Sequence, residues 1–488
     1  MGPNKSVRTR EEHNSGRSKT GRSGVHQQGV GEIALTGLGG NRLFWRAYRS
    51  GRGHHGNVRS GLWQGVPLGV ALPELINGQA EALATLKTEN TVAPMDLFDK
   101  CRQFTAARDV MAMGIYPYFR VISSAPDTVV TVEGKKQLMI GSNNYLGLTN
   151  HPKVVEAAAN ATRKFGSGCT GSRFLNGTLD LHVELERRLA LFMKRPAALV
   201  FSTGFQTNLG TISCLVGRND TIYADRADHA SIVDGCRLSF GRTIKFAHND
   251  MEDLERLLSN TVNGGGRLVV VDGVFSMEGD IAKLPDILRL AHAHGARVMV
   301  DDAHSIGVLG EGGRGTAEHF GLIDQTDLVM GTFSKSFASL GGFICGEEDV
   351  VHYIQHFSRE LIFSASMPPA SVAACIAALD IIESEPERRH RLWDITHRMH
   401  RDFKSLGFDI GVTETPIIPI YIGEDILTFQ FWRELTDAGI FANPIVSPAV
   451  PPGRSLIRTS YTATHTDEQL DFVLDTFAKV GKKLGVIN

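Results

Sequence analysis

Between residues 196 and 346, short apolar runs alternate with stretches that carry apolar positions at helical spacing. The runs are "AALVFS", "TIYAD", "TIKFA", "RLVVVDG", "ARVMVDD", "TDLVMGT" and "GGFICG". Most are continuously apolar instead of alternating with polar residues, the pattern of strands covered on both faces. Strands that alternate with helices in this way predict an α/β fold whose largely parallel sheet lies between two helical layers.

The flanking patterns differ. Upstream, "APMDLFDKCRQFTAARDVMAMG" predicts a helix that closes on Gly114, and "TVVTVEGKKQLMIGS" predicts two short strands about a turn at Glu133-Gly134. A further helix is predicted from Pro152, suited to a first turn, to about Lys164, with Gly166 beyond its end. Downstream, a long helical stretch from about 367 to 406 precedes "IIPIYIG" and "SLIRTSYT", which predict a smaller α+β domain. Residues 1–91 read as a mostly disordered Gly- and Arg-rich extension, its bias heaviest up to about residue 75. Glycine this frequent spoils an amphipathic targeting helix. The predicted organisation is thus an extension over 1–91, a helix and short strands over 92–150, a large domain over 151–384 and a small domain over 385–488.

Composition narrows the class. The chain has 488 residues, 42% of them hydrophobic, which suits two or three domains, and a formal charge of -2. So slight a charge gives no field that would draw the chain to nucleic acid or an anionic membrane. The cysteines Cys101, Cys169, Cys214, Cys236, Cys345 and Cys375 lie far apart without metal-like spacing. They are expected to be reduced thiols in a cytoplasmic setting, with no metal. No apolar stretch reaches the roughly 18 residues that span a bilayer.

The polar residues at the strand ends carry the chemistry. In an open α/β sheet, ligands bind beyond the carboxyl ends of the strands, where loops and helix N-termini line a crevice. There the runs deliver Ser202-Thr203-Gly204, then His229, then Asp272 and Ser276, then Asp301, Asp302 and His304, then Thr332, Ser334 and Lys335. Singly, each has a plain structural explanation: a solvated lysine, an Asp helix cap, a packed histidine, a turn serine. Together they match the needs of pyridoxal 5'-phosphate (PLP). That cofactor requires a lysine for a Schiff base, a carboxylate that keeps the pyridine nitrogen protonated, an aromatic face over the ring and a phosphate cradle. Lys335, Asp301, His229 and the N–H groups at Gly204 and Phe205 are the candidates, the last pair at a predicted helix start.

Six motifs in order, "SNNYLGL", "GSGCTGSRFLNGT", "ADHASIVDG", "DGVFSMEGD", "VDDAHSIGVLGEGGRG" and "GTFSKSFASLGGFICG", carry a resemblance. From about residue 92 to the C-terminus the chain resembles the α-oxoamine synthases, fold-type I PLP enzymes of the aspartate aminotransferase-like class. The resemblance implies a large domain with a mostly parallel sheet, a smaller α+β domain, and PLP as cofactor. It implies decarboxylative condensation of an L-amino acid with an acyl thioester to give an α-amino ketone. Carried over by motif, Lys335 forms the Schiff base and removes the Cα proton, Asp301 pairs with the pyridine nitrogen, and His304 contacts the ring hydroxyl. His229 stacks on the ring, Thr332 helps hold the phosphate, and Ser276 lies near the ring oxygen. Arg458, in "SLIRTSYTATHT", matches the arginine that binds the substrate carboxylate, a role suited to a planar guanidinium; Asn143 is expected beside it. A homodimer with shared active sites is also implied, Ser364 in "IFSASMPP" matching the residue that reaches the phosphate of the other copy.

Within that family, "MGIYPYFRVISSAPDT" ahead of "GSNNYLGLTNHP" is similar to the soluble bacterial serine palmitoyltransferase branch. That likeness implies L-serine and palmitoyl-CoA as substrates and 3-ketodihydrosphingosine as product. An 8-amino-7-oxononanoate synthase, a 2-amino-3-ketobutyrate CoA ligase and a natural-product thioester variant stay open as alternatives, and further off an aminotransferase or a non-catalytic partner subunit. For a long acyl chain, Val110 to Phe119 either line an apolar groove or pack in the core, and any lipid contact is expected to be peripheral. "GEGGRG", Gly310 to Gly315, formally fits a dinucleotide fingerprint, yet no acidic residue stands about 20 positions on. It is read as a flexible active-site loop.

Overall fold

All seven apolar runs become strands: β3 (Ala197–Phe201), β4 (Thr221–Asp225), β5 (Arg242–Phe246), β6 (Arg267–Asp272), β7 (Arg297–Asp301), β8 (Leu328–Thr332) and β9 (Gly342–Gly346), with β1 and β2 upstream. The computed structural model describes residues 96–488 other than 262, 263 and 448, so the expected extension over 1–91 lies outside the described residues. The seven strands form one sheet in the order β3-β9-β8-β7-β6-β4-β5. From β5 to β8 all neighbours are parallel, whereas β9 is antiparallel to both β8 and β3. Chain length explains the exception. Only residues 333–341 separate β8 from β9, too few for the dozen or more that a parallel crossover needs.

The continuous apolar runs are required because both faces of the sheet are covered. Val269, Val271, Val298 and Val300 pack on one face with Tyr223 and Leu288, while Val270 and Met299 pack on the other with Ile212 and Ile222. Each such side chain, fully buried, contributes roughly 1.5–3 kcal/mol.

β1 (Val129–Val132) and β2 (Lys135–Met139) form the expected hairpin; Glu133 and Gly134 both take positive φ, 53° and 76°, as a tight two-residue turn demands. β2 also pairs with β11 (Ile440–Phe441), and β10 (Ile417–Gly423), β13 (Ser455–Ser460) and β12 (Asn443–Ile445) form a separate antiparallel sheet. Ile418, Ile420 and Ile457 of that sheet pack on Phe403, Phe431 and Phe477.

Two predicted helices are broken. The stretch from 367 to 406 is two helices, Pro369–Ser384 and Pro386–Ser405, because Pro386 has no N–H to donate and pushes Glu385 out of helical geometry, to φ -121° and ψ 64°. The stretch ending at Gly114 is likewise two short helices, Asp99–Arg102 and Ala106–Ala112, neither of which buries a residue. Without a packed face, so short a helix gains little beyond local hydrogen bonds.

Candidate active site

The ends of β3, β4, β6, β7 and β8 surround a cavity of about 300 Å3 whose lining includes Gly204, Phe205, His229, Ser276, Asp301, His304, Thr332 and Lys335. A wider groove of about 420 Å3 lies at the opposite edge of the sheet, between Leu215, Leu268, Arg297 and Asp327. Most of its charges are already engaged: Arg297 pairs with Asp327 at 2.6 Å, Asp220 accepts from the N–H groups of Gly217 and Gly266, and Arg267 donates to the Leu258, Thr261 and His294 carbonyls. The reactive groups are on the other side.

Adjacent parallel strands set two carboxylates side by side. Asp272 and Asp301 are in register at the ends of β6 and β7, and both are buried. Asp301 Oδ2 accepts from Asn208 Nδ2 at 2.6 Å and Oδ1 from the Ala303 N–H at 3.0 Å. Asp272 accepts from the His229 N–H, and its carboxyl is held well above the usual range by burial and by the charge of Asp301. Asp302, next along, faces away from the cavity and ties Thr316 instead, by its N–H and by its hydroxyl at 2.6 Å.

Lys335 follows β8 in the short connection to β9. Burial pushes its ammonium down to about 8 against the attraction of Asp301 and Asp272, and Arg458 pushes the same way as burial. His229 caps the helix Ala230–Leu238, its ring edge-on to Phe205 with centroids 6.2 Å apart. Thr203 caps the helix Gly204–Leu215 by accepting from the Gln206 N–H, which leaves the Gly204 and Phe205 N–H groups at the cavity. A Cβ on Gly204 would come within 2.6 Å of Thr332 Oγ1, so only glycine leaves the space at this helix start open. Thr332 Oγ1 itself donates to the Gly341 carbonyl at 3.1 Å.

On the far side, His304 Nδ1 lies 2.7 Å from Tyr145 Oη. Burial pushes Tyr145 up to about 12, so it keeps its proton and donates; burial, Lys335 and Arg458 hold His304 well below the usual histidine range. Arg458, buried on β13, donates from Nε to the Ser276 carbonyl at 2.7 Å and from Nη2 to Asn143 Oδ1 at 3.1 Å. Arg458 thereby adjoins the cavity through Ser276, and Asn143 through Arg458, without either lining it. Ser364 does not line the cavity either; its hydroxyl accepts from Gln206 Nε2 at 3.1 Å, behind the helix start.

Three site residues were not singled out from sequence: Asn208, Ser231 and Tyr145. Asn208 and Ser231 sit in helices, and nothing local distinguishes Ser231. The available signal for Asn208 was a polar side chain in the apolar helix "GFQTNLGTISCL", where it is fully buried. One expectation fails. Gly310 to Gly315 does not line the cavity: Glu318 accepts from the N–H groups of Gly312 and Arg314, and Arg314 donates to the Phe192 carbonyl, so the loop is tied down against a neighbouring helix. Of the two readings of Val110 to Phe119, core packing is excluded, since Met111, Met113 and Phe119 are 50%, 63% and 94% exposed; Met111, Gly114 and Tyr116 line a separate groove of about 260 Å3 with Arg120 and Trp432.

Comparison with known proteins agrees with this geometry. Residues 135–477 match the family described as aminotransferase class I and II. A serine palmitoyltransferase of Sphingobacterium spiritivorum is 52% identical over 387 residues, 79% of this chain and 97% of that protein. An 8-amino-7-oxononanoate synthase of Thermoanaerobacter pseudethanolicus is 44% identical over 375 residues, 77% of this chain and 95% of that one. Among solved structures, the Sphingomonas wittichii serine palmitoyltransferase superposes with a TM-score of 0.79 at 37% identity, covering 81% of this chain and 100% of that chain. The chain belongs to the class I and II aminotransferase family and, within it, to the α-oxoamine synthases, whose fold-type I architecture it shares.

Proposed function

We propose that the protein condenses L-serine with palmitoyl-CoA, releasing CoA and CO2 and giving 3-ketodihydrosphingosine, with PLP held on Lys335. The observation that carries this reading is the meeting of Lys335, Asp301, His229 and His304 in one cavity, beside a helix start that only glycine leaves open. The residues fit PLP: an amine of lowered basicity, a buried carboxylate, an imidazole and a cradle of free N–H groups.

When bound, the cofactor supplies an electron sink for negative charge at the amino-acid Cα. The chain's residues do the rest. Asp301, oriented by Asn208 and Ala303, presents a carboxylate to the ring nitrogen, and His229 covers one ring face. His304, accepting at Nδ1 from Tyr145, keeps its Nε2–H for the ring hydroxyl. The Gly204 and Phe205 N–H groups and Thr332 hold the phosphate. Arg458, fixed by Ser276 and Asn143, takes the serine carboxylate. Lys335, whose amine lies in the same cavity, would remove the Cα proton. A C–C bond then forms to the thioester carbonyl, the C–S bond breaks as CoA leaves as thiolate, the Cα–carboxylate bond breaks as CO2 departs, and Lys335 returns the proton.

A homodimer is part of the same proposal. Phe363 and Leu175 are 79% and 77% exposed, surface that a second copy would cover while Ser364 approaches the other copy's phosphate. We assign the reaction to the cytoplasm with peripheral lipid contact at most; no helix among the described residues is long and apolar enough to cross a membrane. The large and small domains are proposed to divide near residue 385, at the Pro386 break.

The second reading, 8-amino-7-oxononanoate formation, is favoured by the 44% identity to a synthase of that name. Titration of the PLP-loaded protein with L-serine, L-alanine and glycine, followed by a palmitoyl-CoA assay with mass detection, separates the two. A spectral change selective for L-serine and a long-chain aminoketone are expected. Selectivity for alanine without product from palmitoyl-CoA would move the enzyme to the second reading.

A further inference from the structure

Two side chains outside the sequence-derived set join the ring of His229 to the carboxylate of Asp301. Asn208 donates from one amide nitrogen to Asp301 Oδ2 at 2.6 Å and to Ser231 Oγ at 2.8 Å. Ser231 Oγ lies 2.7 Å from His229 Nδ1, and the Ser231 N–H donates to that same ring nitrogen at 3.3 Å. Both Asn208 and Ser231 are buried, at 0% and 1% exposure, so water cannot substitute for either.

The direction of every bond follows from Asp301. An ionised carboxylate only accepts, so Asn208 must turn its NH2 and not its carbonyl toward it. The second proton of that nitrogen then goes to Ser231 Oγ, which leaves the hydroxyl's own proton for His229 Nδ1. Nδ1 thus accepts from a hydroxyl and from a backbone N–H, and a neutral imidazole must carry its proton on Nε2. Asn208 Oδ1 is buried without a partner among the described residues. The amide is therefore held in this orientation by what its nitrogen does and not by its oxygen. The charged groups that face His229 are Asp272, which accepts from its backbone N–H, Asp301 and Lys335, with His304 across the cavity.

We infer that Asn208 and Ser231 are positioning residues that fix His229 as its Nε2–H tautomer, so that the charge on Asp301 decides which ring nitrogen presents a donor to the cavity. The inference deepens the reading proposed above and rests on it for the contact between His229 and PLP; the tautomer can be measured without turnover.

The test uses full-length protein labelled with 15N-histidine, with and without added PLP, the His229 signals being assigned by their loss in His229→Gln. The parent is expected to show Nδ1 in the unprotonated range and Nε2 in the protonated range. Asn208→Ala touches no atom of His229, yet it frees the Ser231 hydroxyl to accept and should raise the Nδ1–H population several-fold. Ser231→Ala should do the same. A parent protein with the proton on Nδ1 overturns the inference whether or not any variant folds. So does an unchanged tautomer in either variant when its circular dichroism matches the parent's. Loss of the cofactor reading would show separately, as parent protein that gains no visible absorbance with PLP.

Discussion

Loading of the cofactor onto Lys335 should follow the titration of its amine. Only the neutral amine attacks an aldehyde. An ordinary lysine, at 10.5, is neutral in about one molecule in three thousand at pH 7, whereas an amine at about 8 is neutral in roughly one in ten, an advantage of about 300-fold. The cause is burial, which opposes the charged form and outweighs Asp301 and Asp272. PLP is removed from the full-length protein, and its recombination is followed by stopped-flow growth of visible absorbance between pH 6 and 10. The second-order rate should rise about tenfold per pH unit at first and level off above about 8. Arg458→Gln removes a neighbouring positive charge and should move the midpoint up, while Asp301→Asn removes a negative one and should move it down. A midpoint near 10.5 in the parent, a downward shift in Arg458→Gln or an upward shift in Asp301→Asn would refute the electrostatic account of the lysine.

Other consequences can be checked separately. Gly204→Ala places a methyl within 2.6 Å of Thr332 Oγ1; overpacking of about 1–3 kcal/mol should weaken PLP binding about tenfold to a hundredfold, measured by equilibrium titration, with the helix content unchanged. Lys335→Ala should abolish both turnover and the visible band; retained activity in clean protein refutes the assignment. Burial pushes Asp302 up to about 6, so the native state holds its proton more tightly than the unfolded chain. Its contribution is then full below about 4 and lost as pH rises through about 6. The stability of Asp302→Asn relative to the parent should accordingly improve by about 3 kcal/mol over that interval in urea unfolding; a constant difference refutes it. Burial opposes charge on His248, yet its bonds to Asp225 and Asp280, both 3.0 Å, raise it to about 10. Its ring signals should therefore not titrate between pH 6 and 8, and the stabilisation it brings should be full below about 6.5 and decline steadily until it is lost as pH rises through about 10.

The sheet was legible because strands buried on both faces leave continuous apolar runs, and the site was legible because parallel strands deliver their next residues to one edge. Asp301, His304, Thr332 and Lys335 could thus be placed from their position after a run. What sequence did not disclose depends on contacts distant along the chain. Asn208 and Asp301 are 93 positions apart, and neither helix periodicity nor turn chemistry connects them. The tie of Gly310–Gly315 to Phe192 is of the same kind. The break at Pro386, by contrast, was readable, since a proline after glutamate in a long helical pattern predicts a boundary.

The antiparallel strand β9 bears on kinetics. Because β8 turns back within residues 333–341, with the Phe333 N–H bonded to Gly341, Ser339 to Phe333 and Ala338 to Lys335, the lysine hangs from a stiff hairpin and not from a mobile crossover. In the role proposed for Lys335, its amine could not diffuse away once free; only its own side-chain torsions would carry it. It remains a tethered reagent at high effective molarity, of the order that well-oriented intramolecular reactions reach, about 10^5 M or more. Proton removal at Cα and the later recapture of the cofactor would then both proceed as unimolecular events, so lengthening this hairpin by a few glycines should slow both steps together.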